Sequence, residues 1–181
     1  MKNIGSQTAI VFLTMLIFSA ALWLNELLFG QLQWVPGIHW VYLPAGVRLL
    51  CTLLFAEAGA VGLLLVSWLV CFFYFFPHQA ERSLLGGMIG CVAPYAAYRL
   101  GRSIYGINRM LGQLSASSLL GLSTFYALLN ALLHLAMFVW LGQGNALAGA
   151  SAMFVGDLLG TLLVLYAIKA VMALRCCGSV G

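Results

Sequence analysis

Residues 8–24 read TAIVFLTMLIFSAALWL, seventeen positions without a charged side chain. A helix needs about 20 predominantly apolar residues to cross the hydrocarbon core of a bilayer. With Asn25, Glu26 and the apolar positions up to Phe29, this stretch meets that length. Lys2 stands in front of it, as it would in a secretory signal peptide. The apolar run is longer than a signal core, however, and no small-x-small site ends it, so it reads as a retained first helix. Five further stretches of the same kind follow, and the whole of 1–181 reads as one all-α integral membrane domain. Its six helices are expected at about 8–29, 43–57, 59–76, 83–100, 117–141 and 147–174. The second is short, and the break before the third falls at Glu57-Ala58.

Composition points the same way. Of 181 residues, 64% are hydrophobic and 7% charged, against roughly 25% charged in a soluble domain. So few charges cannot clothe a fold in water, but lipid asks for none. The net charge of +4 is spread along the chain and forms no basic stripe, so nucleic acid is not an expected partner. The expected partner is the lipid bilayer.

The breaks between helices carry turn chemistry. Residues 31–42 hold Pro36-Gly37 and two Trp. Pro77 ends a helix because it lacks an amide proton. Gly142-Gln143-Gly144-Asn145 is a tight turn. Residues 101–115 form the longest linker, with Ile104, Ile107, Met110, Leu111 and Leu114 at helical spacing, as in a segment lying on the membrane surface. Pro94 predicts a kink in the fourth helix.

Charge orients the bundle. With the N-terminus in the cytoplasm, six crossings return the C-terminus there. Lys2, Arg99, Arg102, Arg109, Lys169 and Arg175 then face the cytoplasm, while Arg82, beside Glu81, faces out. This asymmetry follows the positive-inside rule. Trp34, Trp40, Tyr42 and Trp140 fall at the expected outer interface, and His39, His78 and Glu26 read as solvated there. Glu57, near the cytoplasmic side, reads as paired with Arg99 or Arg102 or as facing water.

Ionisable groups inside a bilayer are costly and call for a partner or a purpose. Arg48 stands about one turn inside the second helix. Asp157 stands about ten residues into the sixth, roughly 15 Å from its outer end. Asn130 and His134, at i and i+4 on one face of the fifth helix, reach a similar depth. These four polar groups on three helices converge on the outer half of the membrane. Three readings stay open: a ligand site in which Arg48 donates to an anionic group and Asp157 accepts, an internal salt bridge that fixes packing, and a proton path. No His/Cys spacing completes a metal set, so no metal or cofactor is expected. Cys51, Cys71 and Cys91 read as small hydrophobes, and the adjacent Cys176 and Cys177 have no assigned role. Nucleotide-binding, serine-hydrolase and zinc-protease motifs are absent from the sequence, so the chain reads as a non-enzyme. Gly86-x-x-x-Gly90 and Gly156-x-x-x-Gly160 allow helices to approach closely, with Gly156 admitting a neighbour beside Asp157.

Two stretches carry a resemblance. Residues 40–50, WVYLPAGVRLL, and 155–164, VGDLLGTLLV, together resemble the MASE1 family of bacterial membrane sensory domains. Members commonly show a P-A-G segment opening an early helix and a G-D-x-x-G segment in the last one. The matching positions are Pro44, Ala45, Gly46, Gly156, Asp157 and Gly160. The resemblance implies a multi-helix sensory input module in the bacterial inner membrane, a small ligand in an outer pocket, and a signal passed to a separate cytoplasmic or membrane signalling partner, since no output domain follows Arg175. Arg48 departs from the family pattern, which has an apolar residue there. The alternatives are a substrate-binding subunit of a small-molecule transporter and a structural subunit of a membrane complex.

Overall fold

A computed structural model describes residues 4–105 and 115–178. It is an all-helical bundle of α1 (Ile4–Phe29), α2 (Leu43–Val70), α3 (Ala80–Tyr105), α4 (Ala116–Trp140) and α5 (Ala146–Gly178). A two-stranded hairpin, β1 (Gln33–Val35) and β2 (Ile38–His39), joins α1 to α2. The stretches Ile4–Leu32, Leu43–Phe75, Ala116–Trp140 and Ala146–Met172 are each long and apolar enough to cross a membrane. Most of the linker read as an amphipathic surface segment, with Arg109, lies outside the described residues.

The surface is inverted relative to a water-soluble protein. Phe12, Leu16, Trp23, Leu27, Phe73 and Val139 are exposed, whereas Arg48, Asn130, His134 and Asp157 are buried. Water would oppose that distribution, and an apolar solvent favours it.

The second and third helices of the sequence reading form one continuous element, α2, with a break inside it. Ala56 has φ 50° and ψ −123°, outside the helical region. The chain folds back there. In a straight helix Arg48 and Ser67 would stand about 28 Å apart, yet the Arg48 guanidinium and the Ser67 hydroxyl both border the Cα of Gly90. Val47 and Cys51 likewise share a core cluster with Leu63 and Val66, the pairing of two antiparallel arms, 43–55 and 57–70. Glu57 is exposed just past the break. No glycine or proline marks position 56, so an L side chain carries a positive φ. We expect Ala56→Gly to stabilise the protein by about 1 kcal/mol. A rise in unfolding midpoint in detergent is the readout, and a fall would mean that the break is not strained.

Arm 43–55 and its lead-in are held by α1 and α5. Residues 38–42 run along α5, β2 giving way to a bend at Trp40-Val41. A Cβ on Gly156 would strike the His39 carbonyl, one on Gly160 the Tyr42 carbonyl, and one on Gly46 the Val164 side chain at 2.7 Å. The P-A-G and G-D-x-x-G segments therefore pack on one another. The neighbour that the glycine spacing admits beside Asp157 is this non-helical backbone, where the sequence reading expects another helix. Buried non-helical backbone needs hydrogen-bond partners. Tyr42 N–H donates to the Gly156 carbonyl at 3.1 Å, and Leu43 N–H donates to Asn25 Oδ1 at 2.8 Å. Asn25, fully buried on α1, thus caps α2.

At its far end α2 passes into a π turn, Cys71–Phe75, before Pro77. The Ser83 hydroxyl lies 3.1 Å from the Cys71 carbonyl and 3.0 Å from that of Phe76, tying α3 to this turn. Helix α3 continues through Pro94.

Candidate functional site

Of the four polar residues singled out in the sequence, Asn130, His134 and Asp157 are linked to one another, and Arg48 shares a cavity with His134 and Asp157. Asn130 Nδ2 donates to Asp157 Oδ2 at 2.5 Å, joining α4 to α5. His134 Nδ1 lies 2.9 Å from the Asn130 carbonyl. Donation from Nδ1–H leaves Nε2 of the neutral ring as an acceptor. Arg48 reaches the same region from the opposite wall. Arg48, His134 and Asp157 all line one cavity of about 50 Å³. By the measure in which one water takes about 10–15 Å³, it has room for a few waters or one small molecule.

Arg48 and Asp157 are 9% and 2% exposed, and no ion pair joins them among the described residues. The guanidinium lies instead over two aromatic rings, 5.0 Å from the centroid of Phe18 and 5.8 Å from that of Tyr42. Such contacts are worth about 2 kcal/mol when desolvated, less than a full ionic partner supplies. Its Nε has no hydrogen-bond partner, nor do the Ser67 hydroxyl and Asn130 Oδ1. Buried polar atoms without partners are few in native proteins and each calls for an explanation.

The cavity has an outer antechamber. A second hollow of about 370 Å³ shares Ile38, Phe75, Phe76, Arg82 and Phe138 with the first and extends to Trp34, Gln79 and Gln143. Arg82 stands at the junction, its guanidinium 3.9 Å above the Phe76 ring and one nitrogen 3.3 Å from Gln79 Oε1. The connecting loops between α1 and α2, α2 and α3, and α4 and α5 all contribute to this antechamber, so they share one end of the bundle.

Three outer residues differ from the sequence reading. His39 is buried, not solvated, with Nε2 3.1 Å from Glu26 Oε1. Glu26, 29% exposed, accordingly packs against a buried imidazole and is not a freely solvated side chain. Tyr42 leaves the aromatic belt altogether. It stacks on His39 with ring centroids 5.6 Å apart and lines the cavity. The physical reason is common to all three: the loop folds inward along the α5 glycines. Trp34, Trp40 and Trp140 remain exposed.

Sequence reasoning also missed Ser67 and Arg82. Ser67 is a lone hydroxyl in an apolar run, and it reaches Arg48 only because α2 folds back. Arg82, beside Glu81, entered the sequence reading only as an outward-facing charge. Cys51, Cys71 and Cys91 are unbridged, and no group of three potential metal ligands occurs among the described residues.

Fold and site together define a helical membrane protein with a two-chambered cavity, into which buried charged side chains project, at one end of its bundle. Compared with protein-family profiles, curated proteins and solved structures, the chain matches none of them.

Proposed function

We propose that this chain is a six-span protein of the bacterial inner membrane, with both ends cytoplasmic, which binds a small polar ligand from the outer side and acts as a MASE1-like sensory input module. The observation that carries the reading is the buried Arg48 guanidinium, facing a cavity with its Nε unpartnered and no carboxylate in ion-pair contact. A structural ion pair would have closed; a binding site keeps its charges available. On this reading the ligand is not chemically changed and no cofactor takes part.

Lengths support six crossings. Arm 43–55 extends about 20 Å, short of a hydrocarbon core of about 30 Å. Residues 39–42 lie along one turn of α5, from Gly156 to Gly160, and add about 6 Å, most of the difference. Non-helical backbone at that depth is tolerated only where protein or a water-filled cavity receives it, and α5 and Asn25 do so here. A ligand bridging the α2/α3 wall to the α4/α5 wall favours one packing of the two over another. That difference in affinity between packings is what a sensor requires. The shift is read by whatever cytoplasmic element is coupled to the bundle.

The bundle also supports a second reading, a substrate-binding transport subunit, on a specific observation: transporters often place a broken helix at the binding site, and the non-helical 38–42 segment with its short helical arm has that form.

Two measurements test the proposal. With single cysteines in an otherwise cysteine-free chain, an impermeant maleimide added to spheroplasts should label positions 79 and 143. It should label position 57 only after permeabilisation. If position 57 resists labelling on both sides, α2 crosses once and the six-span topology fails. A thermal-shift screen of small metabolites on purified protein should yield stabilising ligands whose effect is lost in Arg48→Gln and Asp157→Asn. Hits retained in both variants would remove the cavity from the function. Accumulation of a hit inside proteoliposomes would favour transport over sensing.

A further inference from the structure

The two walls of the cavity differ in hydrogen-bonding character. On the α2/α3 side stand donors: the Arg48 guanidinium and the Ser67 hydroxyl, side by side against Gly90, with Arg82 at the mouth. A Cβ on Gly90 would fall 3.0 Å from an Arg48 terminal nitrogen and 3.3 Å from Ser67 Oγ, so the glycine leaves these two groups their space. On the α4/α5 side stand acceptors, Asp157 and His134. Asn130 lies behind this lining and holds Asp157 Oδ2, and Nε2 of neutral His134 is left as an acceptor by the bond its Nδ1 makes to the Asn130 carbonyl. A buried cation and a buried anion thus face one cavity without closing on each other.

Removing two opposite charges from water is costly, and direct contact is the simplest return on that cost. Here Arg48 is positioned by Phe18 and Tyr42, and Asp157 by Asn130, which keeps them apart. An anion alone would satisfy the Arg48 wall and leave Asp157 repelling it. A cation alone would do the reverse. A molecule with a carboxylate at one end and an ammonium at the other satisfies both walls and adds no net charge to the site.

Resting on the ligand-binding reading above, we propose that the ligand is a free amino acid. Its carboxylate is taken by Arg48 and Ser67, and its ammonium by Asp157 and His134 Nε2. The inner cavity fits the shared amino and carboxylate end, and the antechamber receives a side chain.

The test uses the full chain in lipid nanodiscs, with binding followed by calorimetry. The probes are glycine, L-alanine, β-alanine and 4-aminobutanoate, set against propionate, which lacks the ammonium, and ethylamine, which lacks the carboxylate. At least one amino acid should bind ten-fold or more tightly than both single-charge probes. Asp157→Asn should cut that affinity at least ten-fold and leave propionate binding unchanged or stronger, a pattern that misfolding does not produce. Arg48→Lys, which keeps the charge and loses the planar fork, should weaken the amino acid and propionate alike. Equal binding of propionate and the amino acids would overturn the inference in favour of a plain anion site. Binding of none of these probes would overturn it too. If the metabolite screen then gives another ligand that depends on the same two residues, the cavity reading survives alone; if it gives none, both fall.

Discussion

Gly160→Ala and Gly156→Ala should each cost about 3 kcal/mol or more, among the largest effects of any single methyl group in this protein. The added Cβ meets backbone: the Tyr42 carbonyl and the Leu43 nitrogen for position 160, and the His39 carbonyl for position 156. A flexible side chain can swing aside, but this backbone is pinned. Tyr42 N–H is bonded to the Gly156 carbonyl and Leu43 N–H to Asn25. Moving the segment breaks both bonds inside an apolar environment, where no water replaces them. Gly144→Ala supplies the control, because nothing lies within 4 Å of its added Cβ. Unfolding by SDS titration of detergent-solubilised protein reads the difference. If either α5 variant unfolds like Gly144→Ala, the non-helical segment does not lie on the glycine stripe, and the inner cavity loses its Tyr42 wall.

The second large effect concerns the polar link between α4 and α5. Asn130→Leu should destabilise the protein by about 3 kcal/mol, since it leaves a buried carboxylate without the amide donor that meets it. The double variant Asn130→Leu with Asp157→Leu should recover most of that loss, because removing both partners leaves no unsatisfied group. Asp157→Asn should be milder than Asn130→Leu, as an amide in that place still accepts from Asn130. The same SDS titration across wild type, Asn130→Leu, Asp157→Leu and the double variant gives the coupling energy directly. Additive losses would mean that the carboxylate finds other partners. On the proposed function, the double variant folds and binds nothing, so stability and binding come apart in a single protein.

Several features of the site were open to inspection in the chain itself. Arg48, Asn130, His134 and Asp157 stand out because each is a polar group in a run that must sit in lipid, where its cost demands an explanation. Helical rise and helix direction bring them to one depth. The break near Glu57 was legible as a turn, Glu57-Ala58-Gly59-Ala60, between two apolar runs. The P-A-G and G-D-x-x-G segments were visible as motifs. Their packing on one another was not, because short motifs report backbone requirements and not the identity of the neighbour.

Composition and the spacing of apolar runs by themselves determined that this is a helical membrane protein, since that inference needs only the cost of placing each residue in lipid or water. Tertiary structure decided that the loop before α2 enters the bundle, that Asn25 caps a helix eighteen residues on, that His39 and Tyr42 are buried, and that Ser67 stands beside Arg48. Each of these depends on where two remote segments meet. Hydropathy is summed along a chain and carries no information on that meeting; it is set by which glycines leave room for backbone and which buried polar groups find one another.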